Sequence, residues 1–137
     1  CATAQISKKL VRNLSPGEII SQIILCKDYI NDWSTNKLIT NIVKMGEGSP
    51  FLNLDSVKIA IDNLKNKDGL EYGRTRITVS TVGVSIKKNN MDAIEWAARE
   101  LDVYLAWSLH SSVPKHRSKI MQINDKYSID SLIPQLN

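Results

Sequence analysis

Ile39-Thr40-Asn41-Ile42-Val43, followed by Lys44-Met45-Gly46-Glu47-Gly48-Ser49-Pro50-Phe51-Leu52-Asn53, is the stretch that decides the fold. Its first half is almost wholly β-branched, which suits a pleated, packed strand from about Leu38 to Met45. Two glycines and a proline then break the pattern within a few residues. Beyond them Val57, Ala60, Ile61 and Leu64 recur at i, i+3, i+4 and i+7, so an amphipathic helix runs from about Asp55 to Asn66. Strand, glycine turn and helix in succession form the unit in which α/β proteins hold ligands beyond the carboxyl end of a strand.

Working toward the amino end, Asn31-Asp32-Trp33-Ser34-Thr35-Asn36 is a polar break. It is preceded by Ile19, Ile20, Ile23, Ile24 and Ile30 at helical spacing, a helix reaching about residue 31. Ser15-Pro16-Gly17-Glu18 opens that helix, with a hydroxyl cap, a proline at the first helical position and an acid three residues after the cap.

Toward the carboxyl end, Lys67-Asp68-Gly69 stops the second helix, and Ile77 to Val82 reads as a strand buried on both faces. Met91, Ile94, Ala98 and Leu101 then repeat at helical spacing, and Val103 to Leu109 reads as another buried strand. A last helix or helix pair contains Arg117, Ile120 and Met121, then Ile129, Leu132 and Ile133. Pro134 falls inside that apolar pattern, where a continuous helix would lose a backbone hydrogen bond.

Helix, strand, helix, strand, helix, strand, helix with short connections means an α/β fold with about three parallel strands and helical crossovers. An open sheet of so few strands leaves edges and apolar surface uncovered. Residues 1–137 therefore read as a slice of a larger (β/α) barrel or sheet, truncated at both ends.

Apolar residues make up 42% and charged residues 23% of the 137, which excludes a disordered chain and allows one domain with a real core. No apolar run approaches the length that spans a membrane, and the first residues lack secretory features, so the cytoplasm is the expected compartment. A net charge of +4, scattered over Lys8-Lys9, Lys87-Lys88 and Lys115-His116-Arg117-Ser118-Lys119, forms no single basic stripe. Cys1 and Cys26 are too far apart in sequence to suggest a disulfide framework. Trp33, Trp96 and Trp107 sit in a break, a helix and a strand, positions of ordinary packing residues.

Several motifs then agree in order. Cys1-Ala2-Thr3-Ala4-Gln5, Leu10-Val11-Arg12-Asn13-Leu14-Ser15-Pro16-Gly17-Glu18-Ile19 and Thr40-Asn41-Ile42-Val43-Lys44-Met45-Gly46 come first. Arg76-Ile77-Thr78-Val79-Ser80-Thr81-Val82-Gly83 follows, and Leu105-Ala106-Trp107-Ser108-Leu109-His110 precedes Arg117, Ile123-Asn124 and Lys126-Tyr127. This succession resembles the radical S-adenosylmethionine RNA methyltransferases of the RlmN and Cfr family across nearly the whole chain. The resemblance implies the central part of a radical-SAM core domain, a partial (β/α) barrel that methylates adenine C2 in large-subunit rRNA and, in many members, in tRNA. It also implies S-adenosylmethionine and a 4Fe-4S cluster held by a C-x3-C-x2-C loop, of which Cys1 matches the third cysteine. By motif position Gly48 and Ser49 match the site of the cofactor's amino group. Ser80 and Ser108, Leu109 and His110 match later cofactor contacts. Cys26 is expected to be a packing or surface residue, and Arg117 either a fold-holding ion pair or an RNA contact.

Such chemistry suits the substrate, because adenine C2 carries no proton that an ordinary base could remove usefully, and thiolates are good ligands for iron-sulfur clusters. The chain departs from the family where Gly-Met-Gly-Glu-Pro becomes Gly46-Glu47-Gly48-Ser49-Pro50. Ser49 then lacks the carboxylate that would meet an ammonium, a loss of about 1.5–3 kcal/mol of binding unless Glu47 replaces it. After His110 the usual acidic helix start reads Ser111-Ser112-Val113-Pro114-Lys115-His116, which sets positive charge beside the positive end of a helix dipole. These departures imply a piece of the enzyme that does not catalyse alone. The alternative is a non-enzymatic remnant that binds RNA or a complementary chain. An unrelated nucleotide-binding module is disfavoured because no P-loop or dinucleotide fingerprint is present.

Overall fold

Ser15 and Glu18 close a reciprocal pair of hydrogen bonds in the computed structural model, which describes residues 10–136. The Ser15 hydroxyl accepts from the Glu18 amide and the Glu18 carboxylate accepts from the Ser15 amide, at 3.3 and 2.8 Å, so the predicted helix start is built as a capping box. Helix α1 spans Pro16–Tyr29. It ends slightly earlier than the apolar spacing predicts, because Asn31 turns left-handed (φ 53°). The amide of Asn31 then donates to Asp28 O and that of Asp32 to Lys27 O, a Schellman closure that uses up the last carbonyls.

That closure aims Asp32 back at the helix. Its carboxylate takes the Lys27 ammonium at 2.8 Å, with both side chains buried, and accepts from the amides of Leu38 and Ile39 at 2.7 and 3.0 Å. The polar break of the sequence is thus a buried ion pair that fixes the path from α1 into the sheet. Burying two charges is tolerable here because both carboxylate oxygens accept hydrogen bonds from main-chain amides as well as one from the ammonium.

Strands β1 (Ile42–Lys44), β2 (Ile77–Thr81) and β5 (Tyr104–Trp107) form a parallel sheet in the order β1-β2-β5. The crossovers carry α2 (Leu54–Lys65) and α3 (Ala93–Glu100). The α/β class, the parallel pairing and the helical crossovers match the sequence reading. Register sets the two faces. Ile42 pairs with Ile77 and Lys44 with Val79, and Val79 pairs in turn with Leu105. Ile42, Ile77 and Val79 join Val57, Ala60, Ile61 and Leu64 of α2 and Trp96 and Ala97 of α3 in one core. The alternate row, Val43, Thr78 and Tyr104, faces the other way, and Val43 and Tyr104 remain 53% and 57% exposed. β5 is therefore half-exposed rather than buried on both faces, because helices cover only one side of it.

Two further differences lie between β2 and β5. Asn89 and Asn90 both adopt positive φ (50° and 65°), the pattern of a type I′ turn, and join a short antiparallel hairpin of β3 (Lys87–Lys88) and β4 (Met91–Asp92). Met91 thus belongs to a strand and not to the helix that follows. The buried face of α3 is Ala93, Trp96 and Ala97, continued by Leu101, while Ala98 is exposed. Of the spacing Met91, Ile94, Ala98 and Leu101, Leu101 is buried and Met91 and Ile94 pack against the core, whereas Ala98 is exposed and Trp96 and Ala97 take its place.

After β5 come three short helices, α4 (Pro114–Ile120), α5 (Ile123–Lys126) and α6 (Ile129–Leu132). A tighter 3-10 turn, Ile133–Leu136, follows and contains Pro134. The α-helix has already ended at Leu132, so Pro134 sits in the opening of the tighter turn, where little hydrogen bonding is lost. Among the described residues no helix is long and apolar enough to cross a membrane.

Candidate functional site

Parallel pairing brings the carboxyl ends of β1, β2 and β5 to one edge of the sheet, with β2 in the middle. Ser80 lies near the end of β2 and Ser108 immediately after β5. Their hydroxyl oxygens are 3.4 Å apart, and the Ser108 amide donates to Thr81 O at 2.8 Å, extending the sheet pairing by one residue. By strand alternation this pair lies on the face shared with Thr78 and Ala106, where Ser108 is half-buried and Ser80 is 4% exposed.

The next residue of β2 points the other way. The Thr81 hydroxyl meets the Ser49 hydroxyl at 3.2 Å and accepts from the Gly83 amide at 3.1 Å, all in buried surroundings. Ser49 is 8% exposed. Ser49 therefore ties the loop after β1 to β2 from the helix side and is not grouped with Ser80 and Ser108. Its loop neighbours differ from it: Gly48 (φ 77°) and Glu47 are exposed, and no atom lies within 4 Å of where a Cβ of residue 48 would stand. A ligand can approach the backbone there.

Leu109 and His110 follow Ser108 as an exposed pair, and His110 is left-handed (φ 59°). Lys44, the last residue of β1, is half-buried, and its ammonium pKa falls to about 8 through desolvation. Arg117 is fully buried and bonds to no carboxylate. Its Nε donates to Leu109 O, Nη1 to Asn124 Oδ1 and Nη2 to Val82 O, so it is neither the ion pair nor the RNA contact that its sequence position suggests. Thr81 and Asn124 were not singled out by sequence, although Thr81 sits beside Ser80 and Asn124 lies within a quoted motif. Of the tryptophans, Trp96 is buried as expected, Trp107 packs under the Arg117 guanidinium, and Trp33 is half-exposed with its Nε1 donating to Asp28.

The hydroxyl pair, the open glycine backbone and the exposed histidine are polar groups at the carboxyl-end edge of the sheet. They supply no carboxylate for an ammonium at Ser49, which leaves Glu47 as the acid of that loop. Among the described residues no three His, Cys, Asp or Glu side chains come together to hold a metal ion, and Cys26 is exposed on α1. Cys1, the expected cluster ligand, lies outside the described residues.

No protein-family model matches the chain. It is 39% identical over 133 residues to the dual-specificity RNA methyltransferase RlmN of Parvibaculum lavamentivorans, covering 93% of this chain and 32% of that protein. It is 41% identical over 128 residues to RlmN of Zymomonas mobilis, covering 91% and 31%. A solved radical SAM methyltransferase from Sphaerobacter thermophilus superposes with a TM-score of 0.82 at 36% identity, over 98% of this chain and 37% of that one. A parallel sheet with its polar strand ends gathered on one edge is thus a segment of the radical SAM methyltransferase fold. Within that class the chain belongs to the RlmN family, and it spans about a third of the length of the relatives it matches.

Proposed function

We propose that this chain provides the strand ends that hold S-adenosylmethionine in an RNA methyltransferase acting on adenine C2 of rRNA and tRNA. The observation that carries the reading is the 3.4 Å approach of the buried Ser80 hydroxyl to the half-buried Ser108 hydroxyl, at the same sheet edge from which the exposed glycine loop leaves β1. The two hydroxyls can donate and accept at once, which suits a carboxylate or a ribose diol. Leu109 offers an apolar wall, and His110 a polar edge. Gly48 and Ser49 hold the amino end through the loop backbone, with Glu47 as the nearby acid. When bound, S-adenosylmethionine would supply the methyl group and, with a 4Fe-4S cluster, one-electron chemistry. Cys1 enters this proposal as a cluster ligand through the family motif alone.

Titration of the chain with S-adenosylmethionine, followed by amide NMR, tests the reading. Shifts confined to Gly48, Ser80 and Ser108 to His110 are expected. Saturable shifts elsewhere, or none at millimolar cofactor, refute it.

A second reading keeps the ancestry without catalysis. Val43, Met45 and Tyr104 stay exposed on the uncovered sheet face, which favours a remnant that binds a complementary chain there, or RNA through its basic residues. Salt-dependent binding to rRNA would favour the RNA form of this reading.

A further inference from the structure

The buried guanidinium of Arg117 holds the two loops that leave β2 and β5, and the places where it holds them are not arbitrary. Nη2 takes the carbonyl of Val82, whose peptide unit leads into Gly83 (φ 84°), and Nε takes the carbonyl of Leu109 at 3.1 Å, whose peptide unit leads into His110 (φ 59°). Each carbonyl therefore belongs to the peptide plane that enters a left-handed residue. Histidine adopts that conformation at a cost that must be met by its surroundings. The third corner of the guanidinium is set by Asn124, whose Oδ1 accepts from Nη1 at 2.7 Å and from the Ile129 amide at 3.1 Å, while its Nδ2 donates to Ser118 at 2.9 Å. The Trp107 ring packs beside the guanidinium with its centroid at 5.8 Å. A planar fork with donors on three sides can hold both loops together; a lysine ammonium at the same site cannot reach all three acceptors.

We infer that Arg117 is a positioning residue, which orients the peptide units entering Gly83 and His110 and so fixes the direction in which Ser108 and His110 face the strand ends. Its functional meaning rests on the proposed cofactor reading, but the geometry can be tested without the cofactor.

In the unaltered chain, NMR of the arginine side chains should show the Arg117 Nε and Nη protons as separate, slowly exchanging signals. Averaged, rapidly exchanging Nη signals would overturn the inference, whatever any variant does. In Arg117→Lys, amide shifts should change at Gly83, Val84, His110 and Ser111 while those of α2 and of the β1–β2 pairing stay in place. Changes spread evenly over the core, or none at the two loops, would overturn it. Where the unaltered chain binds S-adenosylmethionine, Arg117→Lys should weaken binding about tenfold or more through misplacement of the loops. Unchanged affinity alongside shifted loops would remove the link to the site. Absence of binding by the unaltered chain would count against the cofactor reading and leave the loop test standing.

Discussion

The hydroxyl oxygens of Ser49 and Thr81 lie 3.2 Å apart on the side of β2 opposite to Ser80. Adjacent residues of one strand thus serve different ends: Thr81 fastens the loop from β1, and Ser80 meets Ser108 on the opposite face. Replacing Ser49 by Ala should remove one buried hydrogen bond and lower stability by about 0.5–1.5 kcal/mol. Its effect on cofactor affinity should be small by comparison. Urea denaturation alongside a binding titration checks both halves of the statement.

Ser80→Ala and Ser108→Ala should each weaken S-adenosylmethionine binding, by about 1 kcal/mol apiece. Because the two hydroxyls touch, the double variant should lose less than the sum of the single losses. Strict additivity in the four titrations would mean that the pair does not act together.

Acid should loosen the junction between α1 and β1. The Lys27 ammonium, joined by the amides of Leu38 and Ile39, holds the Asp32 carboxyl at about 2, below its ordinary 3.8. A depressed carboxylate contributes stability that is complete above the unfolded value and disappears as pH falls from about 3.8 toward 2. Glu18, held at about 2 by Arg12 and Ser15 against an ordinary 4.5, adds to the loss in the same direction. Denaturant midpoints measured from pH 6 to pH 2 should fall, and Asp32→Asn should be less stable at neutral pH with a flatter acid limb.

Lys44 shifts in the same direction, but here it is the charged form that costs stability at neutral pH. Its native value of about 8 lies below the ordinary 10.5, so the unfolded chain binds more protons between those pH values and stability rises with pH across that window. Lys44→Met keeps the apolar stem and removes the desolvated charge. It should raise Tm at pH 7, and the advantage should shrink as pH passes 10. Thermal melts at pH 7 and pH 10.5 make the comparison.

Much of this architecture is legible in the residues themselves. The Ser15–Glu18 cap, the α2 stripe of Val57, Ala60, Ile61 and Leu64, and the parallel order of the strands follow from local chemistry and spacing. The β3–β4 hairpin was not read, because four residues of strand carry too little periodicity to register. Asn89-Asn90 was the available signal, since asparagine tolerates the left-handed pair that a type I′ turn needs. On α3 the spacing catches Ile94 and Leu101 but includes the exposed Ala98 and passes over Trp96 and Ala97, because Met91, from which it is counted, lies in β4 before the helix starts. At the candidate site, motif position brought Ser80, Ser108 and His110 to one edge of the sheet. It could not say that Ser49 turns to the far side, since two glycines separate it from the strand that would set its direction. The surroundings of Arg117 are equally hidden, as two of its three partners are main-chain carbonyls that leave no mark in composition.

Ile42 meets Ile77 and Thr78 meets Tyr104 across the sheet, each pair with a whole helix between its members. No strand of the parallel sheet can find its neighbour through a tight turn, so loop-closure entropy must be overcome before that ladder forms. Because α2 and α3 are the crossovers and also cover the sheet's apolar face, the alignment of Ser80 with the end of β5 depends on how those helices dock.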